Sequence, residues 1–251
     1  MLNQQRKQFL IQQLQIHGQV IAKQIAQELH VSEDTIRRDL RELAKEGLLQ
    51  RVHGGALPIS PALSSFQERQ QIAPDAKQQL AQAAIELMQT GQIVFLDGGT
   101  STQQIAQQLP AELALTIITH SPTIALALVE HPQVEVILLG GKLFKHSIVT
   151  VGAMALETLQ TLNIDLYFMG ATGIHPEFGL TTGDLEEAGM KRAISKRSAE
   201  TYLLASPEKL GKVSAYGILP LTEISGLILP NAIEDKQLSA YQLPSLTLIK
   251  A

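Results

Sequence analysis

The chain of 251 residues carries a net charge of −4, and its 45% hydrophobic content is enough to form a buried core. The absence of cysteine from the sequence excludes disulfide bonds, thiolate chemistry and cysteine zinc fingers. Because the N-terminus is polar and no apolar run approaches the roughly 20 residues of a membrane span, we expect a cytoplasmic protein with no membrane partner.

The charge is distributed unevenly along the chain. Residues 1–60 contain eight basic and six acidic residues, whereas residues 61–251 contain 12 basic and 18 acidic residues. A mildly basic N-terminal part attached to an acidic remainder favours a protein that contacts nucleic acid at one end only.

The first predicted elements are two short helices joined by a turn to a third. The first helix spans about residues 3–16 and the second residues 20–29, each with apolar side chains at helical spacing. Residues 30–31 form the turn. Ser32 is a favourable N-cap for the third helix, which ends near Gly47. Together these segments predict a small three-helix core.

The third helix has the charge pattern of a DNA-recognition helix. Ile36, Leu40 and Leu43 recur at the spacing of one buried face, and Arg38 projects away from that face. An ordinary surface helix is the alternative, because charged side chains four residues apart can simply pair with one another. The charged residues at that spacing are Asp34, Arg38 and Glu42.

The segment after the third helix predicts a β-hairpin. Residues 48–53 have the pattern of a strand, Gly54-Gly55 suits a two-residue turn with positive φ, and residues 56–57 begin the return strand. Three helices followed by a hairpin form a winged helix-turn-helix, whose third helix enters the major groove of double-stranded DNA. Such domains read two half-sites, so we expect a homodimer or homotetramer. The candidate DNA contacts are Ser32, Glu33, Thr35, Arg37, Arg38, Arg41, Arg51, His53 and Gly54.

Residues 58–74 are predicted to be a linker, because prolines and serines in this stretch break any regular pattern. This linker divides the chain into a winged helix-turn-helix domain at residues 1–57 and an α/β domain at residues 75–251. The second domain is the one in which we expect an effector to bind.

The second domain shows alternating helices and strands. Its strands are continuously apolar, which predicts an α/β fold with a mostly parallel sheet covered on both faces. The predicted helices lie at residues 76–89, 103–109, 122–129, 154–162 and 185–199. The predicted strands lie at residues 93–96, 115–119, 134–139, 165–169, 201–204, 226–229 and 246–249.

The loop after the first of these strands is the strongest candidate for a binding site. Ligands of such sheets bind at the carboxyl ends of the strands. Asp97-Gly98-Gly99-Thr100-Ser101-Thr102 combines two glycines, which allow close approach, with three hydroxyls at the start of a helix. An ordinary capped strand-to-helix turn is the alternative. We expect the loop to bind a phosphate group, with Asp97 as a partner for a sugar hydroxyl.

Further candidate effector contacts follow the other strands or begin the long predicted helix. They are His120, Ser121, Gly140, Gly141, Lys142, Gly170, Asp184, Glu187 and Lys209. The seven histidines show no metal-binding spacing on one element, so we expect neither a metal site nor a cofactor.

Three blocks of the N-terminal domain carry a family resemblance: Arg6 with Leu10 and Leu14, residues 32–40, and residues 51–56. In residue type and in spacing they resemble the signature of the DeoR family of bacterial transcriptional regulators. The resemblance implies that the N-terminal domain binds DNA and that the C-terminal domain senses a phosphorylated sugar or a related metabolite.

The C-terminal domain is similar to the sensor domain of the same family, which shares its fold with sugar-phosphate isomerases and CoA transferases. The matching positions are Lys77, residues 97–100, 119–121, 140–141 and 151–152, Gly170, Lys209 and Gly211. His120 stands where the family usually has Asn. Ser206-Pro207-Glu208-Lys209 stands where it usually has Asp-Ser-Ser-Lys. We expect both departures to bear on the effector or on how it binds.

Two other functions are compatible with parts of the sequence. An aldose–ketose isomerase would share the glycine–threonine loop and Lys209, and it would need a carboxylate base such as Glu186 or Glu187. The acidic loop typical of such isomerases is missing after Met169. An architectural DNA-binding protein would leave the α/β domain without a role. We therefore predict a non-enzymatic repressor of a carbohydrate-utilisation operon.

Overall fold

The computed structural model describes residues 2–251. Its helices are α1 Asn3–His17, α2 Ala22–Glu28, α3 Glu33–Lys45, α4 Phe66–Gln71, α5 Pro74–Glu86, α6 Thr100–Gln108, α7 Pro122–Ala127, α8 Ala153–Gln160, α9 Leu185–Lys196 and α10 Asp235–Leu238. Its strands are β1 Val20–Ile21, β2 Gln50–Val52, β3 Gly55–Leu57, β4 Ile93–Leu96, β5 Leu115–Thr119, β6 Val134–Leu138, β7 Lys142–Phe144, β8 Val149–Val151, β9 Ile164–Met169, β10 Gly173–His175, β11 Gly179–Thr182, β12 Ser198–Leu204, β13 Tyr216–Gly217, β14 Gly226–Leu229 and β15 Thr247–Lys250. Within residues 2–251, no helix is both long enough and apolar enough to cross a membrane.

Helices α1, α2 and α3 pack around one hydrophobic core, as predicted. Leu10 of α1, Ile25 of α2 and Leu40 of α3 are each no more than 6% exposed. Strands β1 and β2 pair antiparallel with the two sides of β3. A buried ion pair joins α1 to α3, because the Arg6 guanidinium donates to both carboxylate oxygens of Asp39. The core and this pair together fix the orientation of α3.

Two details of the N-terminal domain differ from the prediction. Val20 and Ile21 form strand β1 rather than the start of a helix, because they pair with β3. The hairpin turn lies at His53-Gly54, one residue earlier than predicted, since Val52 pairs directly with Gly55. Gly54 has the positive φ, +80°. Gly55 is needed for close approach instead, because a Cβ there would lie 1.9 Å from the Val20 carbonyl oxygen.

The segment predicted to be irregular contains ordered elements. Pro61–Leu63 forms a 3₁₀ turn, and α4 follows it. Ser65 and Glu68 make a capping box at the start of α4, in which each side chain accepts a hydrogen bond from the other residue's backbone N–H. Pro74 begins α5 at the position where helices best tolerate proline. The prediction that prolines and serines break all regular structure between residues 58 and 74 is therefore wrong.

The second domain is built on seven parallel strands, which confirms the predicted sheet. Their order is β15-β14-β12-β9-β4-β5-β6. The chain lays β5 and β6 on one side of β4 and then places β9, β12, β14 and β15 on the other side. Winding therefore reverses between β4 and β9, and the carboxyl ends of strands at such a reversal are where ligands bind. Helices α5, α6 and α7 pack on one face, and α8 and α9 on the other.

Several short elements are not predicted by the sequence pattern. Strand β7 pairs with β8, and β11 pairs with both β10 and β13, all antiparallel. These strands are two to four residues long, and α10 has four residues. Segments this short cannot display a hydrophobic period, which needs a longer window.

Candidate functional site

The exposed face of α3 carries the residues predicted to contact DNA. Ser32 caps the helix, because its hydroxyl oxygen accepts a hydrogen bond from the Thr35 N–H at 3.2 Å. The hydroxyl oxygens of the same two residues are 2.8 Å apart. Arg38 and Arg41 are exposed. Both arginines can therefore reach a molecule that lies beside the helix.

Arg37 is paired within α3. Its guanidinium donates two hydrogen bonds to one carboxylate oxygen of Glu33, at 2.7 and 3.0 Å. It also lines a shallow groove between α3 and the β2–β3 hairpin, together with Arg51, His53 and Gly54. Arg37 of the helix and the three predicted residues of the hairpin thus line one groove, and Glu33 orients Arg37 there.

A pocket lies at the carboxyl ends of β4, β9 and β12, where the winding of the sheet reverses. Eight of the predicted effector residues line it: Gly98, Gly99, Thr100, Ser101, Thr102, Gly170, Glu187 and Lys209. The remaining lining residues are Ala62, Arg69, Ile72, Lys77, Ala171, Thr172, Thr182, Lys191 and Glu208. Three of these come from residues 58–74, so the segment between the two domains forms part of the pocket wall.

The N-terminus of α6 forms one end of the pocket. Free backbone N–H groups at a helix start attract anions, and α6 begins directly after two glycines. Ser101 is 4% exposed, and its hydroxyl oxygen has no hydrogen-bond partner among the described residues. Thr102, by contrast, donates to the Gly99 carbonyl oxygen at 3.0 Å. Because buried polar groups are nearly always paired, the Ser101 hydroxyl is available to a polar partner in the pocket.

Three cationic side chains, Arg69, Lys77 and Lys209, lie around the pocket and are called the cationic cluster below. Burial lowers the pKa of Lys209 to about 8, an effect that Glu208 opposes and the other two cations reinforce. Burial also lowers the pKa of Lys77 and that of Arg69. The Arg69 Nε is buried without a partner in the described part of the chain. A bound anion would offset the unfavourable desolvation of these cations and reduce the repulsion between them.

Lys77 also connects the cationic cluster to the end of α4. Its ammonium donates to the backbone carbonyl oxygens of Arg69 and Ile72. Those carbonyls lie at the C-terminal end of α4, where backbone C=O groups lack a full set of hydrogen-bond donors within the helix. Lys77 therefore holds the position of Arg69 at the pocket.

Asp97 lies beneath the pocket, which corrects the expectation that it binds a sugar hydroxyl. Its Oδ1 accepts from the Gly98 N–H and faces the His120 Nε2, both at 2.9 Å. Its Oδ2 accepts from the Gly170 N–H at 2.8 Å and from Lys191. Burial alone would raise the pKa of Asp97, but Lys191 and His120 hold it well below its usual range. With four partners in the protein, Asp97 joins two glycine loops and is not available to a ligand.

His120 and Ser121 are also internal, contrary to their prediction as effector contacts. His120 is fully buried; its Nδ1 donates to the Thr150 carbonyl oxygen at 3.0 Å, and its other ring nitrogen contacts Asp97. Ser121 donates to the Ile148 carbonyl oxygen at 3.1 Å. Both side chains hold the β7–β8 hairpin against the sheet. Histidine at position 120 therefore affects the packing under the pocket rather than its lining.

Four further candidates do not line the pocket. Gly140-Gly141 is an exposed loop, and Lys142 makes a surface ion pair with Glu186 at 2.9 Å. Asp184 is the N-cap of α9, where its side chain accepts from the Glu187 N–H at 2.9 Å. Turn, surface and capping roles account for these residues, and the structure does not bring them to the pocket.

Glu187 reaches the pocket, but its carboxylate is engaged by the protein. Its Oε2 accepts from the Thr182 hydroxyl at 2.8 Å, and its Oε1 lies 3.4 Å from the Lys191 Nζ. Lys191 is 2% exposed and also bonds to Asp97. Burial alone would lower the pKa of Lys191, but the two carboxylates raise it. Asp97, Glu187 and Lys191 form a buried, hydrogen-bonded group of two carboxylates and one ammonium, called the pocket floor below.

The pocket residues of the linker and Lys191 of the floor were missed for different reasons. The Ser65-x-x-Glu68 signature of a helix start was present in the sequence and could have predicted α4. Glu187 and Lys191 are four residues apart on α9, a spacing that predicts an ion pair. No local pattern indicates that the linker folds over the loop after β4, because that contact joins residues distant in sequence.

Family comparisons match both halves of the chain. The DeoR-like helix-turn-helix domain matches residues 6–62, and the DeoR C-terminal sensor domain matches residues 72–230. The HTH-type transcriptional regulator GlpR of Haloferax volcanii is 31% identical, over 99% of this chain and 98% of that protein. The HTH-type transcriptional repressor GlcR of Bacillus subtilis is 32% identical, over 92% of this chain and 91% of that protein.

One more relative and one solved structure are also similar to this chain. The glycerol-3-phosphate regulon repressor of Escherichia coli is 30% identical, over 83% of each chain. Ribose 5-phosphate isomerase A from Methanocaldococcus jannaschii superposes with a TM-score of 0.41 and 17% identity, over 55% of this chain and 54% of that one. Since the two domain families match in order and the relatives align over most of their length, this chain belongs to the DeoR family of transcriptional regulators.

Proposed function

We propose that this regulator represses a carbohydrate-utilisation operon and is controlled by a phosphorylated sugar bound in the pocket. The observation that carries the proposal is the convergence of the α6 N-terminus and the cationic cluster on one cavity. A relative named for the glycerol-3-phosphate regulon supports this class of operon. In this proposal residues 1–57 bind DNA, residues 58–74 connect, and residues 75–251 sense the effector.

Phosphate is the anion that this pocket favours. The start of α6 offers backbone N–H groups, and Ser101 offers a buried hydroxyl. Arg69 and Lys209 add positive charge to the same pocket. Hydrogen bonds to charged groups each contribute about 1.5–3 kcal/mol. The two carboxylates of the pocket floor are partly compensated by Lys191 and by the donors that they receive from Thr182 and Gly170, which limits their repulsion of an anion.

The linker transmits the state of the pocket to the DNA-binding domain. It is attached to the sensor domain through Ser60, which donates to the Thr172 carbonyl oxygen, and through Leu63, whose carbonyl accepts from His146 at 2.9 Å. The pocket has a free volume of about 30 Å³. Small-molecule pockets have roughly 300–1,000 Å³, so a sugar phosphate requires the pocket to widen, and in this proposal the linker, which forms part of its wall, is the segment that moves. That movement repositions the DNA-binding domain.

The effect on DNA binding is limited by thermodynamic linkage. An effector shifts the protein towards the poorly binding state by no more than its difference in affinity for the two states. Operator recognition is assigned to α3 and the β2–β3 hairpin, with Arg38 as the first candidate for reading a base edge. A homodimer or homotetramer presents two such surfaces to two half-sites.

The protein binds sugar phosphates without converting them. An isomerase would need a free carboxylate base beside the substrate carbon. Glu186 is exposed and paired with Lys142, and Glu187 is bound to Thr182 and Lys191. Incubation with glucose 6-phosphate or fructose 6-phosphate in deuterated water should give no exchange at the carbon next to the carbonyl. Exchange above the uncatalysed rate that is lost in Glu187→Gln would overturn this part of the proposal.

A thermal-shift panel tests the phosphate assignment. Glucose 6-phosphate, fructose 1-phosphate and glycerol 3-phosphate are compared with glucose, fructose and glycerol. At least one phosphorylated compound should raise the melting temperature, because ligands that bind only the folded state stabilise it, and its free counterpart should not. Lys209→Met should strongly reduce the shift, whereas the exposed Lys196→Met should retain it in full. Stabilisation by the unphosphorylated compounds alone would contradict the proposal.

A further inference from the structure

Glu208 presents an unused carboxylate oxygen to the pocket. It lies in the 3₁₀ turn Pro207–Lys209, just after β12. The Ser206 hydroxyl donates to its Oε1 at 2.6 Å. Its Oε2 is buried, and no residue between 2 and 251 donates a hydrogen bond to it. Because an unpaired buried carboxylate oxygen is strongly unfavourable, this oxygen indicates that a ligand supplies a hydrogen-bond donor.

The turn holds Glu208 in a fixed position. Pro207 restricts the backbone at the first position of the turn, and the Lys209 N–H donates to the Ser206 carbonyl oxygen at 3.1 Å. Ser206 itself is fully buried. The carboxylate is therefore oriented before any ligand arrives, which is the usual property of a residue that selects a ligand.

The charge of Glu208 makes it an unfavourable partner for the phosphate group itself. A carboxylate repels a phosphate, so the partner of Oε2 must be a donor group elsewhere on the effector. Burial lowers the pKa of Lys77 and of Lys209, and Glu208 partly restores both. The pocket thus combines an anion-binding end, marked by Ser101, with an acceptor at Glu208. A ligand that matches both carries a phosphate and a hydroxyl.

We propose that Glu208 determines effector specificity: its Oε2 accepts a hydrogen bond from a hydroxyl of the phosphorylated effector and so favours phosphorylated polyols and sugars. This inference rests on the phosphate pocket proposed above. The usual family sequence has Asp where this chain has Ser206. Here Ser206 orients a carboxylate that comes from two residues later in the chain. The acceptor therefore approaches the ligand from a different backbone position.

Calorimetric titration of the full chain tests the role of Glu208. The probes are inorganic phosphate, propyl phosphate, glycerol 3-phosphate and glucose 6-phosphate. Propyl phosphate keeps the carbon chain and the phosphate of glycerol 3-phosphate but lacks the hydroxyls. The wild type should bind at least one hydroxylated probe about tenfold more tightly than propyl phosphate, the effect expected of one hydrogen bond to a charged group.

The variants separate hydrogen bonding from charge. Glu208→Gln should reduce the preference to about twofold, with propyl phosphate bound as well as before or better, because a neutral amide is a weaker acceptor. Glu208→Asp keeps the charge but withdraws the oxygen by one methylene, and it should lose the preference too. Ser206→Ala should give an intermediate preference, since Glu208 loses its orienting donor. The exposed Glu157→Gln of α8 is the matched control and should behave like the wild type.

The outcomes distinguish this inference from the function on which it rests. A full preference for hydroxylated probes in both Glu208→Gln and Glu208→Asp would overturn the role of Glu208 and leave the phosphate pocket intact. Failure of all four probes to bind the wild type would overturn the phosphate pocket and this inference together. Should Glu208→Gln fail to fold, Glu208→Asp decides the question by the same preference.

Discussion

The pocket floor and the cationic cluster are two groups of buried charges in one domain, and they differ in how those charges are compensated. In the floor, Lys191 lies between the carboxylates of Asp97 and Glu187, which also receive other donors. In the cluster, Lys77 and Arg69 have the same sign as Lys209 and lower its pKa further. We call a charge network closed when its charged groups are paired within the protein, and open when they are not. The comparison indicates that closed networks stabilise the fold, whereas open ones are available to bind a ligand.

The same contrast is present in the DNA-binding domain. Arg6 and Asp39 form a closed, buried pair that fixes α3 on the core. Arg38 and Arg41 extend into solvent on the opposite face of the same helix. One face of α3 therefore carries a paired charge that fixes the helix on the core, and the other face carries unpaired charges that are available to a partner. The sensor domain shows the same division around its pocket.

The largest effect, a loss of stability, should follow from removing one charge of the pocket floor. Asp97→Asn keeps the shape of the side chain but leaves Lys191 with less compensation in a fully buried place. Removing one partner of a buried pair reduces the free energy of unfolding by about 3–5 kcal/mol. Urea denaturation measures this loss, with the exposed Glu112→Gln as the control. A loss below about 1 kcal/mol, the range of exposed pairs, would show that the floor does not maintain the fold.

Lys209→Met should weaken effector binding without reducing the stability of the protein, unlike Asp97→Asn. Without an effector, the variant should be as stable as the wild type or more so, because a buried ammonium that lacks a close partner is removed. Its affinity for the effector should fall by about 1.5–3 kcal/mol, the value of a charge-assisted hydrogen bond. Denaturation and calorimetry on the same protein give both numbers. Destabilisation as large as that of Asp97→Asn would show that Lys209 stabilises the fold, as the pocket floor does, and would contradict this prediction.

The two arginines of α3 allow a similar comparison at the DNA surface. Arg38→Ala should weaken operator binding by about 1–3 kcal/mol if Arg38 reads a guanine edge. Arg37→Ala should have a smaller effect, because Arg37 is already engaged by Glu33. Gel-shift titration at fixed salt measures both, and the circular dichroism spectra should not change. Equal affinity of Arg38→Ala and the wild type would reduce Arg38 to a solvated surface charge.

The pH dependence of effector binding should be the smallest effect. Lys209 has a pKa of about 8 in the free protein, so it loses its proton as the pH rises through that value. A bound phosphate favours the protonated form, so affinity should be highest below about pH 8 and fall above it, by at most about tenfold per pH unit. Lys209→Met should lack this decline. A wild-type affinity that stays constant between about pH 7 and about pH 9 would contradict the assignment.

The sequence predicts those parts of the fold that depend on local periodicity. The spacing of Ile36, Leu40 and Leu43 places one face of α3 in the core, and all three are buried. The apolar runs of β4 and β9 predict central strands, which the sheet contains. Loops that follow such strands can then be placed at one edge, and this is how the loop after β4 and Lys209 were selected as a site.

The remaining features depend on contacts between distant parts of the chain. Asp97 looks like a ligand contact in sequence, but Gly170 and Lys191 occupy it from elements more than 70 residues away. Arg69 and Glu208 approach the same cavity from the linker and from the end of β12, which no hydrophobic period can show. Strands of two to four residues are likewise fixed by their partners rather than by their own composition.

Operator binding with and without a sugar phosphate tests the central claim most directly. Duplex DNA selected by the protein from a random library serves as the operator, and anisotropy at fixed salt gives the Kd. Saturating sugar phosphate should raise the Kd of the wild type by about tenfold or more, within the usual range of coupling between sites. Lys209→Met should bind the operator as tightly as the wild type and should not respond. An unchanged Kd for wild-type protein that calorimetry shows to be saturated with sugar phosphate would contradict the account.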